Sequence, residues 1–217
     1  MIVCTDILFS YPDGSFELNI PSLEIGAKEQ VAVIGASGTG KTTLLYLLSG
    51  IYQAHHGTVS IDNLILNHYN DAERQDFRVA SMGLVFQEFE LLEYLTVWDN
   101  ILLPYYINSI MNKDTGLKDR ALNLLEATGL TQWKNRYPNQ LSQGERQRVA
   151  VCRALVTEPK LLLCDEPTGN LDPVNKDQVL QLLLDYSQHH NVPLILVTHD
   201  HQQLDQFTRV INISELT

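Results

Sequence analysis

Eight consecutive residues, Gly35-Ala36-Ser37-Gly38-Thr39-Gly40-Lys41-Thr42, carry the spacing of a phosphate-binding loop: two glycines five apart, then a lysine and a hydroxyl. Glycine lets the chain curl so that successive N–H groups point at phosphate oxygens, and a following helix start adds its positive dipole end. In that geometry Lys41 neutralises the β- and γ-phosphates and the Thr42 hydroxyl ligates Mg²⁺. The flanks fit, with an apolar run at 31–34 before the loop and a helix expected over 42–48 after it.

A second chemical feature lies at 161–166, Leu-Leu-Leu-Cys-Asp-Glu. An apolar strand ending in two adjacent carboxylates is costly unless a cation or a reaction uses them. At the carboxyl edge of a parallel sheet, Asp165 is placed to hold Mg²⁺ and Glu166 to polarise an attacking water.

These groups need a rigid frame. The runs at 31–34, 84–86, 161–164 and 194–197 read as buried strands alternating with helical segments, which predicts an α/β fold with a largely parallel sheet. Segments 2–9 and 16–20 flank a Tyr11-Pro12-Asp13-Gly14 turn, and 58–61 follows Gly57; they predict a small antiparallel layer. Between 89 and 160 strand signals vanish, and 97–103, 117–128 and 143–155 show helical spacing, as expected for a helical insertion. Thr96 with Asp99 and Ser142 with Glu145 read as capping boxes, Gly129 as a helix stop, and Asp172-Pro173 as a helix start.

Leu141-Ser142-Gln143-Gly144-Glu145-Arg146-Gln147-Arg148, just ahead of the Asp165-Glu166 strand, resembles the signature motif of ATP-binding-cassette (ABC) proteins. Further landmarks follow in order: Tyr11 resembles the adenine-stacking aromatic, Gln87 the Q-loop glutamine and His199 the switch histidine. Gly169-Asn170-Leu171-Asp172 resembles the D-loop, in a form similar to that of the lipoprotein-release and macrolide-export subfamily. The resemblance departs at Gln143, where the family usually has glycine, and at Glu145, where glutamine is common.

The resemblance implies a P-loop NTPase core of RecA-like architecture, about 1–88 and 160–217, interrupted by a helical subdomain at about 89–159. It implies ATP contacts from Tyr11, Gly35, Ala36, Ser37, Gly38, Thr39, Gly40, Lys41, Thr42, Thr43, Gln87 and His199. Ser142 and Gly144 would instead reach the γ-phosphate held by the opposite subunit. Mg²⁺ would be held by Thr42, Gln87 and Asp165, and hydrolysis would use Lys41, Glu166 and His199. The implied partners are a second cassette and separate integral-membrane permease subunits, with the chain cytoplasmic and peripheral at the inner membrane face. Export or extraction is expected; an importer ATPase, or a cassette signalling through a membrane partner as in cell division, would carry the same motifs.

Composition agrees with this frame. A net charge of −11 over 217 residues argues against nucleic-acid binding, which rests on clustered Lys and Arg. Three widely spaced cysteines without a CxxC pair predict buried small hydrophobes in a reducing compartment. The first residues lack a secretion signal and no apolar run reaches membrane-spanning length, so a soluble subunit is expected.

Overall fold

The computed structural model describes residues 1–111, 114–169 and 171–216. Two sheets organise it. The first is antiparallel, in the order β2 (Glu17–Ile25), β1 (Ile2–Ser10), β4 (His56–Ile61), β5 (Leu64–Ile65). The second is parallel, in the order β6 (Met82–Val85), β7 (Leu161–Asp165), β8 (Leu194–Val197), β3 (Gln30–Ile34), β9 (Arg209–Asn212).

The central strands β7 and β8 are almost wholly apolar because both of their faces are covered, whereas the edge strand β9 is half polar and largely exposed. Along β7, Leu161 and Leu163 join a cluster shared with the antiparallel layer and α1 (Lys41–Leu48), while Leu162 and Cys164 point to the other side. There they meet Val151 and Leu155 of α5 (Gln143–Leu155) and Val179 and Leu183 of α6 (Pro173–His190). Strand β8 repeats the alternation, with Ile195 and Val197 on one face and Leu194 and Leu196 on the other. Each such side chain contributes roughly 1.5–3 kcal/mol by leaving water. A third cluster, beneath α3 (Val97–Ile107), α4 (Leu117–Ala127) and α5, includes Ile101, Leu125, Leu130 and Val149.

Several local expectations are corrected. Strand β2 continues past Ile20 through Pro21 to Ile25, because it is an edge strand where a proline costs no ladder donor. Helix α3 likewise runs through Pro104 to Ile107 rather than stopping at 103. Strand β6 covers Met82–Val85, leaving Phe86 outside it. Helix α2 (Asp71–Ser81) has no counterpart among the expected elements, although Asn70 and Glu73 form a full capping box at its start. Thr96 accepts from the Asp99 N–H, and Ser142 and Glu145 make the reciprocal box.

Strand β1 bulges against β4 between Thr5 and Leu8, with Asp6 at φ 50°. Gly57 fits this bulge: its φ is 83°, and a Cβ there would lie 2.2 Å from the Asp6 carbonyl oxygen.

All three cysteines are free and buried. Burial pushes the Cys4 and Cys152 thiols up to about 12 and raises Cys164 as well. Thiolate is the reactive form, so a disulfide reagent at neutral pH should label none of the three in the native chain and all three after denaturation. Rapid labelling of a native thiol would contradict this packing. Among the described residues no helix is long and apolar enough to cross a membrane.

Candidate active site

Three neighbouring parallel strands deliver the chemistry to one edge. Strand β8 pairs with β3 on one side and with β7 on the other, Val197 lying opposite both Val33 and Asp165. The phosphate loop after β3, Glu166 after β7 and His199 after β8 therefore leave the sheet together, at the carboxyl ends where α/β sheets bind ligands.

A cleft of about 690 Å³ opens there, lined by Tyr11, Ser37, Gly38, Gly40, Lys41, Thr42, Thr43, Gln87, Glu166 and His199. The loop is closed by its own bonds: the Thr39 hydroxyl donates to the Ala36 carbonyl, and Lys41 Nζ donates to the carbonyls of Gly35 and Ala36 at 2.9 and 2.8 Å. Gly40 caps α1 in the left-handed region at φ 95°, and a Cβ there would stand 2.6 Å from the Phe16 ring. Glycine is thus required both by conformation and by space.

Behind the loop lies Asp165, buried at the end of β7. Burial raises its carboxyl above the ordinary carboxylate pKa, opposed by a hydrogen bond with Thr42, reinforced by the Glu166 charge and opposed by Lys41. A carboxylate, a hydroxyl and the nearby Gln87 amide are hard oxygen donors that fit Mg²⁺. Such an ion keeps several waters and takes phosphate oxygens, so few protein ligands suffice.

Glu166 turns off the strand at φ 45°, its N–H donating to the Val197 carbonyl. Its Oε2 stands 2.9 Å from His199 Nδ1, so two residues 33 apart in sequence form one pair in the cleft. Next to them Lys176 and Asp200 form an ion pair at 2.6 Å, tying α6 to the segment that carries His199.

At the other end Tyr11 Oη bonds the Thr43 hydroxyl at 2.9 Å. The ring packs edge-on against Phe9 and Tyr52. Ser15 and Phe16 also line the cleft and were not among the expected site residues. Their signal was the turn itself, since Tyr11 N–H donates to the Phe16 carbonyl and folds both over the phosphate loop.

Ser142 and Gly144 do not join this cleft. They sit at the start of α5, where Ser142 is exposed and Gly144 is buried against Asn175. The loop at 169–172 is described except for Asn170, which lies outside the described residues.

A phosphate loop between a parallel strand and a helix, with an Asp-Glu pair two strands away, defines a P-loop NTPase. The ABC transporter family pattern matches residues 18–169. The chain belongs to that family and is an ATP-hydrolysing cassette. It is 36% identical to the lipoprotein-releasing system ATP-binding protein LolD of Legionella pneumophila, over 95% of this chain and 91% of that one. Against the macrolide export ATP-binding/permease protein MacB of Rhodopirellula baltica it is 40% identical, over 89% of this chain and 28% of that one. A solved dimeric ATP-binding cassette in a post-hydrolysis state, bound to ADP and phosphate, superposes with a TM-score of 0.88. That match has 32% identity and covers 98% of this chain and 94% of the other.

Proposed function

We propose that this cassette powers extraction or export of a substrate through a separate membrane permease, working as a pair of chains that enclose ATP between them. The observation that carries this reading is the split of the motifs: Lys41, Glu166 and His199 share one cleft, while the capped start of α5 faces outward. A helix start with free N–H groups is an anion site, so Ser142 and Gly144 can complete the cleft of a second chain. Likeness to LolD and MacB supports the direction of transport.

In this mechanism Tyr11 stacks on the adenine, and the amides of Gly35 to Thr43 hold the phosphates. Lys41 exchanges its bonds to Gly35 and Ala36 for β- and γ-phosphate oxygens, so its charge is already held at the phosphate loop before ATP arrives. Thr42, Asp165 and Gln87 would hold Mg²⁺, which supplies charge neutralisation at the phosphate oxygens. Glu166 accepts a proton from the attacking water, and His199, already 2.9 Å from it, reads the γ-phosphate. Loss of that phosphate removes the contact with Ser142 of the other chain and reopens the pair.

The helices at 89–159, resting on their own apolar cluster, act as a subdomain that transmits this closure. A groove of about 340 Å³ opens at Phe86, the residue before Gln87, and is lined by Val79, Met82, Leu84, Phe86, Leu103 and Ile107, with Arg78, Glu90 and Arg153 as its charged members. Ile107 is 67% exposed at its rim, suiting a cytoplasmic helix of the permease.

Co-purification with the permease in detergent tests this assignment. Ile107→Asp should weaken retention about tenfold and abolish permease stimulation while leaving the isolated chain's ATPase within about twofold, since a buried charge is expensive only in the complex. Unchanged retention would remove the groove from the account.

A further inference from the structure

Asn175 does not line the cleft, yet it joins the two segments that the ATP-sandwich reading keeps apart. Its carboxamide lies flat on the first turn of α5: a Cβ on Gly144 would meet Asn175 Cγ at 3.1 Å, Nδ2 at 3.2 Å and Oδ1 at 3.4 Å. Arg148, one turn further along α5, donates through Nη1 to Asn175 Oδ1. In the other direction Asn175 Nδ2 donates to Asp172 Oδ2, and the Asn175 N–H donates to Asp172 Oδ1 at 3.2 Å. Both ends of the carboxamide are therefore in use, one on α5 and one on the cap of α6.

The two anchored segments carry different halves of the chemistry. Ser142, the N-cap of α5, stands two residues before Gly144. Asp172, the N-cap of α6, ends the loop that leaves Glu166, whose turns are closed by Gly169 N–H on the Glu166 carbonyl and Leu171 N–H on the Thr168 carbonyl. The apolar cluster of Val151, Leu155, Val179 and Leu183 packs α5 on α6 beyond their first turns, and Asn175 adds a polar tie at the two starts themselves. A short carboxamide flat against a glycine leaves little freedom: Gly144 is buried, and a Cβ there would press on the Asn175 side chain at 3.1 to 3.4 Å.

We infer that Asn175 is a positioning residue: it holds the outward-facing Ser142 end of α5 in register with the loop that follows Glu166 of the same chain. A chain then offers its neighbour's ATP a correctly placed α5 only while its own Glu166 loop is in place. The inference rests on the two-chain reading above. It adds a residue that keeps each chain's hydrolytic and donated faces aligned.

The test uses the full chain in the hydrolysis-slowed Glu166→Gln background, measuring the ATP concentration that half-saturates dimer formation in sedimentation velocity, and the affinity of the monomer for a fluorescent ATP analogue. Asn175→Ala should raise the half-saturating ATP about tenfold, the loss expected from removing hydrogen bonds to charged partners. Monomer affinity should stay within about twofold, because no cleft contact changes. In the otherwise native chain the same substitution should raise KM while kcat at saturating ATP largely recovers.

Asn175→Asp is the second variant. It keeps the volume and the acceptor for Arg148 but sets a second carboxylate against Asp172, so dimerisation should weaken while the thermal midpoint stays close to that of the Ala variant. The inference is overturned if both variants dimerise at the parental ATP concentration. It is equally overturned if monomer affinity falls in step with dimerisation, which is the pattern of a general folding defect. Failure of Glu166→Gln itself to dimerise would instead overturn the two-chain reading, and this proposal with it.

Discussion

Glu166→Gln should lower ATP turnover by about a thousandfold, within the range for loss of a positioned general base, while leaving ATP affinity within a few-fold of the native value. The amide is isosteric and can still accept a hydrogen bond from His199, which stands 2.9 Å away, so the local geometry persists. What it cannot do is take a proton from water. The left-handed turn at Glu166, closed by its N–H on the Val197 carbonyl, belongs to the backbone and survives the substitution. Steady-state phosphate release together with equilibrium nucleotide binding separates the two effects. Turnover within tenfold of native would assign the general base elsewhere.

Lys41→Ala acts on the other side of the reaction and should weaken ATP binding about a hundredfold. A charge-assisted hydrogen bond contributes about 1.5–3 kcal/mol, and each 1.4 kcal/mol is tenfold in affinity. Lys41 is buried, and its ammonium rests on the carbonyls of Gly35 and Ala36. Lys41 belongs to none of the three apolar clusters, so the thermal midpoint should move by only a few degrees. Calorimetric titration with ATP measures the affinity directly. Native-like affinity in this variant would detach the cleft from phosphate binding.

The phosphate loop was legible from sequence because its function is local: eight residues in a row fix both the curl and the charge. The buried strands were legible for a similar reason, since β7 and β8 are covered on both faces and read as unbroken apolar runs. What escaped depends on distance in the chain. The Glu166–His199 contact follows from β7 and β8 being adjacent and in register at Asp165 and Val197, and strand order is not written in either segment.

Helix α2 escaped because it is largely charged and polar, with Phe77 and Val79 too few to announce a stripe; its Asn70–Glu73 box was the one available sign. Phe16 was read as a strand residue, whereas the hairpin turn folds it over Gly40. Asn175 gave no signal at all, because its partners Gly144 and Arg148 come from another helix.

Composition carried less. The acidic balance spoke to partners in general, while the cleft is governed by one buried lysine, a set of loop amides and two carboxylates at a strand end. The groove beside Gln87 is a tertiary object, assembled from α2, β6, α3 and α5, and no single stretch of sequence outlines it.

In the proposed mechanism two chains close around ATP, each supplying the start of α5 to the other's cleft. Sedimentation velocity of Glu166→Gln, with and without excess ATP and Mg²⁺, tests it most directly. The expected result is a monomer without nucleotide and a dimer with ATP, reverting to monomer when Ser142→Arg is added to crowd the α5 start. A species that stays monomeric in saturating ATP, or a dimer indifferent to Ser142→Arg, would contradict it.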